Sequence, residues 1–99
     1  MIQTILDGEG QSTNSIRPSK PKIGIESGHI AFSLSGTWTA TVHLQRSFDG
    51  GSSWLDTDLF EANIETSISD PTTETDVLYR LTIKSDNYTS GSVDIILAN

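Results

Sequence analysis

The chain contains no cysteine. That excludes a disulfide framework and any thiolate-ligated metal centre. Apolar side chains are also scarce, at 34% of the residues, with aromatics at 7%, which is low for a globular domain. No run approaches the ~20 consecutive apolar residues that a membrane-spanning helix requires. The opening residues, MIQTILDGEG, lack both a basic segment and a long apolar core, so no signal peptide is expected. These absences point to a soluble protein, intracellular or assembled into a particle. Basic residues are few as well, with 6 against 13 acids and a formal net charge of −7. Such a balance repels phosphate and anionic lipid, which argues against nucleic-acid and membrane partners.

What is present is serine, threonine and glycine in alternating patterns. With 99 residues the chain makes one domain with one modest core. Cores of that size are commonly reinforced by self-association, so a homo-oligomer is expected. The charge is uneven. Residues 1–47 hold three acids and four bases, whereas residues 48–99 hold ten acids and two bases. Acid on the body of a β-rich protein maintains solubility and discourages edge-to-edge pairing.

Residues 7–22, DGEGQSTNSIRPSKPK, contain two Gly, two Pro and one large apolar residue, Ile16. This composition reads as loop, and residues 1–22 as an extended N-terminal arm. From residue 23 the pattern changes. Ile30, Phe32 and Leu34 alternate with small polar residues; so do Trp38, Ala40, Val42 and Leu44. Period two indicates half-buried strands. FDGGSS supplies the positive φ angles of a tight hairpin, and Trp54-Leu55 opens the return strand. LFEANIETSIS fits one strand or two. In VLYRLTIKS, Val77, Tyr79, Leu81 and Ile83 face inward, while Arg80, Thr82 and Lys84 face outward. DNYTSG reads as a turn, and SVDIILA as a last strand with Val93, Ile95 and Leu97 on one side. The expected fold is all-β: an antiparallel sandwich, immunoglobulin-like or jelly-roll-like, of about seven or eight short strands over residues 23–99.

Catalytic chemistry finds little support. Nucleophilic catalysis needs a base beside the nucleophile, and the two histidines, His29 and His43, both fall in strand patterns. Paired carboxylates are abundant but unspecific, and a small sandwich offers little room for a walled cleft. Asp49, Asp56 and Asp58 lie close in sequence, as hard cations prefer, yet the spacing matches no calcium loop; capping of a turn is the alternative. Trp38, Trp54, Tyr79 and Tyr88 are the candidates for a sugar platform, and only Tyr88 is expected at the surface. The sequon Asn87-Tyr88-Thr89 goes unused without secretion. The expectation is a binding or structural module and not an enzyme, with no catalytic residue, no metal and no cofactor.

Residues 47–54, SFDGGSSW, resemble the Asp box of sialidase-type propellers, S-x-D-x-G-x-T-W, with Ser53 in the threonine position. A propeller carries many copies, and here there is one. The resemblance implies a well-made hairpin in which Asp49 accepts turn amides, Gly51 permits the reversal and Trp54 packs beneath. Ser47, Asp49, Gly51 and Trp54 are its structural residues.

Two longer runs carry a second resemblance. Residues 30–54, with FSLSGTWTATVHLQRSFDGGSSW, and VLYRLTIKSDNYTSGSVDIILA near the end resemble small β-rich proteins encoded among the virion genes of tailed bacteriophages. The matching positions are Gly36, Trp38, Val42, Gln45 to Gly51, Trp54, Tyr79, Arg80, Tyr88 and Gly91. Residues 1–22 and 56–76 are not covered. The resemblance implies a virion structural protein made in the host cytoplasm, and first of all a capsid decoration or cement protein. Such a protein sits on the outer head surface, binds the major capsid protein and is often a homotrimer. A tail, fibre or baseplate component and a carbohydrate-binding adhesion module are the alternatives. On the decoration reading the arm would order on the shell, with Ile16, Arg17, Lys20 and Lys22 as its contacts.

Overall fold

A computed structural model describes residues 2–18, 28–70 and 77–99. Seven strands are present among them: β1 (Ile2–Leu6), β2 (Gly28–Ser35), β3 (Trp38–Ser47), β4 (Leu55–Phe60), β5 (Ile64–Asp70), β6 (Leu78–Gly91) and β7 (Val93–Ala98). They form two antiparallel sheets, ordered β1-β7-β2-β5 and β4-β3-β6. The architecture is the expected all-β sandwich.

The pairing is nested. β2 and β3 run consecutively but lie in different sheets; β2 pairs with β5 and β7, while β3 pairs with β4 and β6. The chain therefore steps from one sheet to the other four times, between β2 and β3, β4 and β5, β5 and β6, and β6 and β7. Period-two burial places Ile30, Phe32 and Leu34 of β2, Val42 and Leu44 of β3, Leu81 and Ile83 of β6, and Val93, Ile95 and Leu97 of β7 in one shared core. Each such Leu or Ile removed from water stabilises the fold by about 1.5–3 kcal/mol. Phe32 and Phe60 meet edge to face across the two sheets, with ring centroids 5.3 Å apart.

The step between sheets is stitched tightly where β2 turns into β3 and β6 into β7. The Ser92 amide donates to the Thr37 carbonyl at 3.2 Å. Asn63 Nδ2 donates to the Gly36 carbonyl at 3.1 Å, and its Oδ1 accepts from Trp38 Nε1 at 2.7 Å. Trp38 is thus half-buried at a corner instead of sitting deep in the core as its inward phase implies. Gly91, at φ 85°, lets the two backbones touch.

The N-terminal segment, expected as an arm that orders on the shell, packs on the domain itself over its described part. Ile2–Leu6 pairs with β7, placing Leu6 in the core. Residues 10–16 then run antiparallel along the outer edge of β6. The Gly10, Thr13 and Ile16 amides donate to the Ile83, Leu81 and Tyr79 carbonyls at 2.7–2.9 Å, and the Ile83 and Tyr79 amides donate back to Gln11 and Ile16. The physical reason is that an uncovered central-length strand presents a row of unpaired backbone groups. Here the chain satisfies them itself. This also accounts for Thr82, read as outward yet buried: its hydroxyl lies 2.6 Å from the Ser12 hydroxyl and 3.0 Å from the Gln11 carbonyl. A further difference is DNYTSG, which continues β6 to Gly91 through register shifts and a positive φ at Asp86, where a turn was expected.

Candidate functional site

The β3–β4 hairpin is held as the Asp-box pattern implies. The Ser47 hydroxyl, fully buried, donates to Asp49 Oδ1 at 2.8 Å and accepts the Gly51 amide at 2.9 Å. Asp49 in turn accepts the Ser53 amide on Oδ1 at 2.9 Å and the Ser53 hydroxyl on Oδ2 at 2.6 Å. Gly50 and Gly51 hold φ of 72° and 99°. Trp54 is half-exposed beside Gly51, with the Arg80 guanidinium 4.3 Å above its ring.

Hydrogen bonds from the Ser53 hydroxyl, the Ser53 amide and then Ser47 stabilise the charged form of Asp49 and lower its pKa to about 2. A carboxylate lowered in the fold contributes stability that is present above its unfolded pKa and lost as pH falls through the folded value. Wild type is therefore expected to weaken between about pH 4 and pH 2 more than Asp49→Asn does. Urea midpoints measured across that window check it, and parallel curves would show that Asp49 does not carry the effect.

A second polar assembly covers the outer face of the three-stranded sheet. Arg80 Nε donates to Gln45 Oε1 at 2.8 Å, and Gln45 Nε2 donates to Asp56 Oδ1 at 3.0 Å. Lys84 pairs with Asp56 Oδ2, and His43 Nε2 lies 3.1 Å from Asn87 Oδ1. The Lys84 hydrogen bond, followed by that of Gln45, holds the Asp56 carboxyl below its usual range. A shallow depression of about 380 Å³ lies beside this network, lined by His43, Asp56, Thr57, Asp58 and Leu59.

A third assembly was not legible as a site. Arg46 Nε and Nη2 donate to Asp70 Oδ2 and Oδ1 at 2.9 and 3.2 Å, and the Tyr79 hydroxyl donates to Asp70 Oδ2 at 2.6 Å. Arg46 also lies 4.2 Å from the ring centroid of Phe48. Asp70 ends β5 in one sheet, whereas Arg46 and Tyr79 belong to the other, so the trio closes one end of the sandwich. The signal was an acid on the inward phase of β5, matched to a base on the inward phase of β3. Distance in sequence hid it. Desolvation, then the hydrogen bond to Asp70, raises the Tyr79 pKa to about 12.

The expected capsid contacts separate. Ile16 is buried in the core, and Arg17 is exposed, its carbonyl accepting from Asn99 Nδ2 at 3.1 Å. Lys20 and Lys22 lie outside the described residues. Asp49, Asp56 and Asp58 do not converge: the first two bond to serines and to Lys84 and Gln45 respectively, and among the described residues no three His, Asp or Glu side chains gather as metal ligands. Of the aromatic candidates, Tyr79 is in the core, Trp38 bonds Asn63, Trp54 stacks with Arg80, and the half-buried Tyr88 donates to the Gly91 carbonyl at 3.0 Å.

β4 is the most exposed element. Every residue from Leu55 to Leu59 is exposed, and β3 is its one strand neighbour among the described residues. Compared with protein-family models, curated proteins and solved structures, the chain matches none.

Proposed function

We propose that the chain is a bacteriophage virion structural protein. On this reading it is a capsid decoration protein that binds the major capsid protein on the outer head surface, acts as a homotrimer and catalyses nothing. The observation that carries the reading is where its chemically capable side chains are spent. Asp49 organises a turn, Asp56 ties three strands of one face, and Asp70 joins the two sheets. These are the uses a rigid mechanical part makes of carboxylates. The resemblance to tailed-phage virion proteins supports it further, because the matched runs supply β2, β3, β6 and β7, the strands that carry most of the core. Several copies acting together would add contact area between capsid subunits and gain affinity through multivalency.

The test is reconstitution. Purified protein added to heads lacking it should co-sediment to saturation in multiples of three and raise the temperature at which the heads rupture. Mass spectrometry of separated heads and tails that finds the protein on tails would sink the reading in favour of a tail component.

A further inference from the structure

The two edges of the three-stranded sheet are treated differently. The β6 edge is closed by residues 10–16 of the same chain. The β4 edge, among the described residues, is paired with nothing. We propose that this edge receives one extended, basic strand from a partner protein, most directly a segment of the capsid subunit on which the domain sits. The inference rests on the decoration reading only for who supplies the strand.

Addition to a sheet edge takes its affinity from main-chain hydrogen bonds and its selectivity from sites for alternate side chains. β4 offers both. Among the described residues no strand pairs with its outer edge, where the Leu59 amide donates to Asp58 Oδ1 at 2.8 Å and would exchange that partner for an incoming carbonyl. Leu55 and Leu59 are exposed apolar side chains along it, and the depression beside Thr57 and Asp58 can seat a side chain of the added strand. Charge decides the class of occupant. No lysine or arginine occurs between Arg46 and Arg80. Asp58 and the adjoining Glu61 are exposed and belong to no ion pair among the described residues, whereas Asp56 is matched by Lys84. A second copy presenting its own β4 would set like charges against each other, which is destabilising. A lysine- or arginine-bearing strand would be attracted. The N-terminal segment expected to order on the shell is, over residues 10–16, spent on the domain's own β6, and the domain accepts a strand at its other edge.

The experiment uses the whole ¹⁵N-labelled chain and a capped seven-residue peptide of alternating lysine and valine as probe. The expected result is saturable amide shifts over Leu55–Phe60 and His43. Binding should weaken as salt rises and fall roughly five- to tenfold in Asp58→Asn/Glu61→Gln, whose unchanged spectrum shows that it folds. Ile96→Lys, on the outer face of the other sheet, should bind as wild type. The same peptide N-methylated at every residue keeps its charge but loses its amide donors, and should not bind. Equal binding of that peptide, shifts confined to β5 or to the β1–β7 face, or no binding at millimolar probe would each overturn the proposal. Head binding by co-sedimentation is independent of the probe, so failure here is distinct from failure of the decoration reading.

Discussion

Replacing Gly91 with alanine is expected to remove a large part of the stability of the domain. A Cβ built there would lie 2.2 Å from the Thr37 carbonyl oxygen and 2.6 Å from Trp38 Cα, both backbone atoms that no rotamer change can move. The positive φ of 85° adds its own penalty, about 1–2 kcal/mol for a residue with a side chain. Relief requires the β2–β3 corner to separate from the β6–β7 corner, breaking the Ser92–Thr37 hydrogen bond and pulling at Asn63 and Trp38. The combined loss should reach about 4–5 kcal/mol, the range that marks a named structural failure and much of the ~5–15 kcal/mol that holds a small domain together. Gly50→Ala is the internal control. Its φ is 72°, but nothing lies within 4 Å of the added carbon, so it should cost only the backbone term. Urea unfolding followed by circular dichroism compares them. Two variants with similar midpoints would show that the corner is not close-packed.

The second large effect is expected at the sheet-joining trio. Asp70→Ala leaves the Arg46 guanidinium and the Tyr79 hydroxyl without the carboxylate that both donate to. Asp70 is buried and Arg46 half-buried, so the loss should lie toward the lower end of the ~3–5 kcal/mol typical when one member of a buried ion pair is removed. Replacing both ions by apolar residues of similar volume, Arg46→Met with Asp70→Leu, should recover most of that loss, and the double-mutant cycle measures the coupling. Tyr79 gives the same trio a pH signature. Its folded pKa is raised to about 12 from 10.0, so the neutral phenol is favoured by folding. The stability it contributes is complete below pH 10 and is lost as pH rises through about 12. Tyr79→Phe should remove that alkaline loss while costing one hydrogen bond at neutral pH. An unaltered alkaline profile would mean that another group controls it.

How much of this was written in the sequence depends on the kind of contact. Alternation is a local signal. The inward sets Ile30–Phe32–Leu34, Val42–Leu44, Leu81–Ile83 and Val93–Ile95–Leu97 are all buried as their spacing implies. The hairpin was equally legible, since Ser47, Asp49, Gly51 and Ser53 act on one another within a few residues. Contacts made by backbone were not. Residues 10–16 lack an apolar stripe because they attach to β6 through amides and carbonyls, which no side-chain pattern reports. The Arg46–Asp70 pair failed for a different reason: each residue looked like an ordinary polar interruption until two sheets brought them together. The position of β4 at the edge of its sheet among the described residues was hidden likewise, because which strand lies outermost is a property of topology and not of any one segment.

The first and last strands lie side by side, with Ile2 opposite Leu97, and this has a mechanical consequence. Because the two run in opposite directions, both ends emerge from the same end of the sandwich. Tension drawn between the termini would peel β1 from β7 one rung at a time, as a zipper opens, without loading the whole ladder in shear. A body built this way yields first to a pull on its ends. Whatever holds it in place does best to grip it by a flank.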